Sequence, residues 1–311
     1  MTQAIAVPPA GVAARPSRAN PIDRGGGRAA WGFLAPFGLF YVLFLLGPAV
    51  AMLVVSFFNT STVRPGLGSF AGFGNYAEMF GRADFWDAMW HTVQFTIYTT
   101  PPLVILAFVL SVLTNRIGRG QWFFRLAFFL PFVLPSATIS LIWLFIFTPG
   151  SGLWALGEQL IGITPGSGVL ASPNTAMIGI ALATVWWTLG FNFVLYLAGL
   201  QEIPRELYEA AAVDGASQWD QIRYITLPLI RRTTTLVILL QIIASLKIFD
   251  QVYLMTQGGP GTATQVALGL VTGTAFTDNR IGAASAASVL LFIVIVAIAL
   301  IRQALDRQKE A

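Results

Sequence analysis

The stretch that decides the fold is EIPRELYEAAAVDGASQWDQIRYITLP, residues 202–228, a polar island between two long apolar runs. Glu202 to Ala212 is rich in strong helix formers, and Pro204 stands near its start, where a missing N–H costs little. Gly215 can break that helix with a backbone conformation other residues resist. A second short helix fits from about Ser217 to Thr226, before Pro228 restarts the chain toward the next apolar run. Two short helices at an angle, bracketed by apolar runs, make a compact knob.

The runs on either side are membrane spans by composition. The chain has 311 residues, of which 56% are apolar and only 10% charged. In soluble domains charged residues make up about a quarter. No cysteine is present, so disulfides and thiolate chemistry are excluded, and the single histidine, His91, leaves no histidine-based metal site. A bilayer core needs about 20 apolar residues. Windows nearly free of charge place spans at about 31–58, 91–114, 126–147, 176–200, 233–254 and 281–301. The fifth is the least apolar, with Gln241, Lys247 and Asp250 inside it.

Lysine and arginine set the orientation. Fourteen of the 18 fall before span one, between spans two and three, between four and five, or after span six, and only Arg64, Arg82, Lys247 and Arg280 fall on or toward the other side. The positive side is cytoplasmic, which places both termini and the 201–228 knob inside. The net charge of +4 therefore reports topology, not an affinity for nucleic acid. Residues 1–30, Pro, Gly, Ala and Arg with few large apolar side chains, read as a disordered cytoplasmic tail ahead of a transmembrane domain at 31–311. Between Asn59 and Trp90 aromatic residues punctuate an outer loop suited to a short interfacial helix. No G-x4-G-K-[ST] sequence occurs, so the chain has no nucleotide-hydrolysing loop of its own.

The spacing Glu209-Ala210-Ala211-x3-Gly215-x9-Ile225-x-Leu227-Pro228 resembles the EAA coupling loop of ABC-importer permeases. Leu126 to Pro135 (LAFFLPFVLP), Leu197 to Tyr208 and Phe249 to Pro260 resemble other parts of the maltose-type carbohydrate permeases, the first of two unlike permease subunits. Two departures stand out: His91 where such chains commonly carry Asn, and a start to span six (Gly282 to Ala286) without the usual aromatic. The resemblance implies an all-α membrane protein of six transmembrane helices in the type I importer (MetI-like) fold, both termini cytoplasmic. It also implies a second unlike permease, two copies of a cytoplasmic P-loop ATPase that uses ATP and Mg, and an extracytoplasmic solute-binding protein. No cofactor is expected on this chain.

Residue roles follow from the same resemblance. Glu209, Ala210, Ala211, Asp214, Gly215, Ile225, Leu227 and Pro228 would form the ATPase-coupling element. Counting back from Thr256-x-Gly-Gly-Pro260, the substrate-facing stripe falls on Gln241, Ala244, Ser245 and Ile248, spaced as one helical face. Gln241 and Ser245 can bond sugar hydroxyls or a neighbouring helix, since intramembrane polar groups do both. On span four, Trp187 and Asn192 offer a flat face and hydrogen-bonding groups that suit a sugar ring, although aromatics in a span are usually packing or interface anchors. Lys247 and Asp250, i and i+3, are expected to pair near the outer end. The solute would be a di- or oligosaccharide, or a polyol compound such as glycerol phosphate. A self-contained secondary carrier is the alternative, but it would place coupling carboxylates near span centres, where this chain has none.

Overall fold

Proline and glycine positions divide the apolar runs into helices of unequal length. The structure, a computed structural model, describes residues 22–307 other than 65, 118–119 and 163–167. Of the tail expected at 1–30, residues 1–21 lie outside the described residues, and residues 22–30 belong to a helix. Helices α1 (Ile22–Tyr41) and α2 (Gly47–Val55) are joined by a π-helical turn, Val42–Leu46. Residues 1–51 and 52–311 form two units.

In the second unit, α3 (Gly74–Gly81) is the short helix of the outer loop, and α4 (Ala83–Asn115) is a 33-residue helix carrying Pro101 and Pro102. α5 (Gln121–Val133), α6 (Ser136–Ile146) and α7 (Leu153–Leu160) lead to α8 (Ala176–Gln201). The knob follows as α9 (Arg205–Val213), then α10 (Gln218–Gln221), continued through a π turn into α11 (Leu227–Leu229). α12 (Arg231–Leu246), α13 (Asp250–Met255), α14 (Ala267–Thr272) and α15 (Ile281–Arg307) complete the chain. Among the described residues, four helices are long and apolar enough to cross a membrane: Trp31–Val55, Ala83–Asn115, Ala176–Gln201 and Ile281–Arg302. Two bent pairs bring the number to six if each counts as one crossing.

Structure and sequence reading differ at the first of those pairs and within the predicted fifth span. Positions 126–147 read as one run, but Gln121–Val133 and Ser136–Ile146 meet at 97°. Pro135 is the reason: it holds Leu134 extended (φ −73°, ψ 143°) and brings no N–H of its own. Positions 233–254 also read as one run, yet α12 stops at Leu246 and α13 starts at Asp250. Lys247 (φ −102°, ψ 17°) and Phe249 (φ −149°, ψ −57°) leave helical geometry between them. A further 66° bend separates Gln218–Leu229 from Arg231–Leu246.

α4 and α8 form the most extensive helix pairing, with α5 and α12 beside them. Close approach comes from small residues, as is usual where lipid removes the hydrophobic drive between helices. A Cβ on Gly190 of α8 would sit 2.0 Å from the Phe128 carbonyl oxygen of α5, so only glycine permits this contact. Ala283, Ala284, Ala286 and Ala287 of α15 are buried, and α15 packs against α3 and α14. Thr92, Thr96 and Thr99 of α4 return their hydroxyls to carbonyls four residues back, satisfying their own polarity inside the helix.

Candidate functional site

Where α12 breaks, the chain opens a cavity of about 180 Å3 against α4 and α8. All four residues of the predicted stripe, Gln241, Ala244, Ser245 and Ile248, line it, and so does Trp187 of α8. Threonines of α4 and α8 (Thr99, Thr184, Thr188) supply hydroxyls, and Phe95, Trp187 and Phe249 supply aromatic surface. Such a lining, apolar rings with a few convergent donors and acceptors, suits a polyhydroxylated ring compound.

The polar residues are held by one another. Gln241 Nε2 donates to Asn192 Oδ1 (2.9 Å), and Asn192 Nδ2 donates to the Thr188 carbonyl (3.1 Å). Asn192 is fully buried and stands behind the cavity wall, orienting Gln241. The Ser245 hydroxyl lies 2.9 Å from Thr96 Oγ1, joining α12 to α4. Trp187 Nε1 donates to the Leu134 carbonyl (3.1 Å), a group freed at the α5–α6 bend, and its ring lies near Phe132. The interhelical role and the cavity-lining role thus fall on the same side chains.

Lys247 and Asp250 do not form the expected ion pair. The i, i+3 spacing assumed a continuous helix, and the break at 247–249 removes that geometry. Asp250 instead accepts a hydrogen bond from Ser136 Oγ (3.0 Å), at the start of α6, and both charged residues line the cavity. His91 donates from Nδ1 to the Gln265 carbonyl (3.1 Å), a structural tie from α4 to the segment before α14. Sequence reasoning missed Thr99, Thr184, Thr188 and Gln251 as cavity residues. The i, i+4 pair Thr184 and Thr188, which continues to Asn192 on the same helical face, was the available signal.

The knob residues lie at the far end of α8. Pro204 precedes α9, which carries Glu209, Ala210 and Ala211 and ends before Asp214. Gly215 sits at φ +82°, so the chain turns with a left-handed residue, and the Ala216 N–H closes onto the Ala211 carbonyl (2.9 Å). Ser217 and Asp220 cap α10 reciprocally. The Ser217 hydroxyl and then its N–H hold the Asp220 carboxyl below its ordinary range. Tyr208 OH meets Thr226 Oγ1 (3.0 Å), and Arg116 at the end of α4 donates to Gln218 Oε1 (2.5 Å), so both knob helices are tied down. Ile225 is half-buried, whereas Glu209, Asp214, Leu227 and Pro228 are exposed. Val213 (88% exposed) and Trp219 (67%) give the knob an apolar surface.

Residues 104–310 match the family described as "Binding-protein-dependent transport system inner membrane component". The chain belongs to this family. Among curated relatives, this inner membrane component is 34% identical over 261 residues to the sulfoquinovosyl glycerol transport system permease protein SmoG of Agrobacterium fabrum, covering 83% of this chain and 84% of that one. It is 30% identical over 260 residues to the trehalose/maltose transport system permease protein MalF of Thermococcus litoralis, covering 84% and 87%. In fold it is similar to a chain of a bacterial alginate ABC transporter solved with an alginate pentasaccharide-bound periplasmic protein. The TM-score is 0.80 at 20% identity, over 92% of this chain and 96% of that chain. The family match takes in the knob, the cavity stripe and α15, and begins within α4.

Proposed function

We propose that this inner membrane component is one of two unlike permease subunits of a sugar importer, crossing the cytoplasmic membrane six times with both termini inside. Two P-loop ATPase subunits would drive it, using ATP and Mg, and an extracytoplasmic binding protein would deliver the solute. The observation that carries this reading is the knob: a hydrogen-bonded pair of helices at the end of α8, on the arginine-rich side of the chain, offering exposed apolar side chains on a polar loop. Exposed apolar surface of that kind marks a docking site. The relatives' names support a sugar or polyol compound as the solute, and so does the cavity's mixture of rings, hydroxyls and amides.

In this reading the chain performs no chemistry. Glu209, Ala210 and Ala211 present α9 to an ATPase, and Gly215 fixes the angle to α10. Movement of the knob reaches the cavity along α8, which carries Trp187 and Asn192, and along α12, which carries Gln241, Ala244 and Ser245. Closure of the ATPases opens the cavity outward, and hydrolysis returns it inward. Purification in mild detergent with identification of companions by mass spectrometry tests the proposal. A second permease and a P-loop ATPase are the expected companions. A chain that purifies alone and moves solute under an ion gradient would overturn it.

A further inference from the structure

Beyond the first cavity lies a second, of about 350 Å3, between α13 and α14. Phe249 belongs to the walls of both. Its ring stacks on that of Tyr253 with centroids 5.3 Å apart and planes 22° from parallel, and Tyr253 lines only the second cavity. Aromatic surface therefore forms the wall that the two cavities share and continues into the second. Around it stand Gln257, Gln265, Thr272 and Phe276, the same mixture of amide, hydroxyl and ring that lines the first cavity.

The wall that carries Gln265 is fixed. His91 takes the Gln265 carbonyl, and the Ala267 N–H donates to Thr92 Oγ1 (2.9 Å), so α4 clamps the chain on both sides of buried Val266. A lipid chain would call for an apolar lining, and neither an isolated anion nor a metal would use aromatic surface. Pyranose rings use both features: their C–H faces pack on aromatic rings while their hydroxyls meet amides and alcohols.

We infer that the second cavity is a second saccharide subsite, continuous with the first past Phe249, so that the solute recognised extends over more than one ring. The inference rests on the reading of the first cavity as the substrate site. It makes Gln265 and Tyr253 determinants of chain length.

The absence of cysteine gives a clean background for thiol labelling. Ala244→Cys reports on the first cavity and Thr272→Cys on the second, each in the assembled transporter in proteoliposomes with a water-soluble maleimide. The probes are one-ring and three-ring pools from size-fractionated, partially hydrolysed starch, cellulose and xylan. The three-ring pool should slow labelling at both positions, by about tenfold at about ten times its Kd. The one-ring pool should slow Ala244→Cys more than Thr272→Cys. Protection at Ala244→Cys with Thr272→Cys labelled at one rate in every pool overturns the second subsite and leaves the first standing. A Thr272→Cys that never reacts, while Ala244→Cys does, means protein fills the cavity and also overturns it. Protection at neither position by any pool overturns the first cavity's assignment, and the second falls with it.

Discussion

Trp187 joins two tasks in one side chain. Its ring lines the cavity, while its nitrogen satisfies the Leu134 carbonyl that the Pro135 bend leaves without a helical partner. Trp187→Phe separates them, keeping a ring and deleting the donor. An unpaired buried carbonyl costs about 1–3 kcal/mol, so the apparent melting midpoint in detergent should fall while the KM for uptake stays within about twofold. A higher KM with no change in melting would instead place the nitrogen on the solute. Gln241 poses the same question, since it bonds Asn192 and lines the cavity. Hydrogen bonds between membrane helices average about 0.6 kcal/mol, so loss of that bond alone is a small perturbation. Gln241→Leu should weaken uptake affinity by about tenfold, equivalent to about 1.4 kcal/mol. Removing the partner as well, with Asn192→Leu, should not restore it; recovery in the double variant would make Gln241 a packing residue only.

At the scale of elements, the knob was legible because proline and glycine write its punctuation: Pro204 before α9, Gly215 at the turn, Pro228 near the end of the second helix. The break in the predicted fifth span was not, because Lys-Ile-Phe at 247–249 contains neither residue. There the chain leaves helical geometry in its folded surroundings, with Asp250 bonded to Ser136 from α6, a contact between positions 114 apart that no local pattern encodes. The stripe at 241–248 survived that break because its first three members lie on α12 itself and Ile248 falls just beyond. Gly215 offers the sharpest test of an element. At φ +82° a β-branched residue is strained, by about 1–3 kcal/mol, whereas asparagine tolerates left-handed backbone. Gly215→Val should abolish ATP-dependent uptake with the chain still inserted and helical by circular dichroism. Gly215→Asn should retain a large part of it. Full transport by the valine variant would remove the knob from the coupling path.

Across the whole second unit, distant parts of the sequence are held by few polar ties, and the clearest joins α3 to the start of α15. Arg280 Nη1 donates to Glu78 Oε1 (2.6 Å) and Nη2 donates to Oε2, a two-pronged contact between positions 202 apart. Beside it Asn75 of α3 donates to the Ser56 and Phe58 carbonyls, so α3 bridges the end of α2 and α15. The Arg280 hydrogen bond, followed by an opposing effect of burial, leaves the Glu78 carboxyl below its ordinary range. A carboxylate depressed in the fold stabilises it above its unfolded pKa, about 4.3, and loses that contribution as pH falls through the lower folded value. Both side chains are more than a third exposed (38% and 44%), so solvent limits the effect to at most about 1 kcal/mol. Glu78→Gln should lower the melting midpoint modestly at neutral pH, and the gap from the parent should close as pH falls below about 4 and narrow in high salt. A gap independent of both pH and salt would mean that the substitution acts through packing of α3 against α15, and that the small residues of α15 hold this end of the molecule without help from charge.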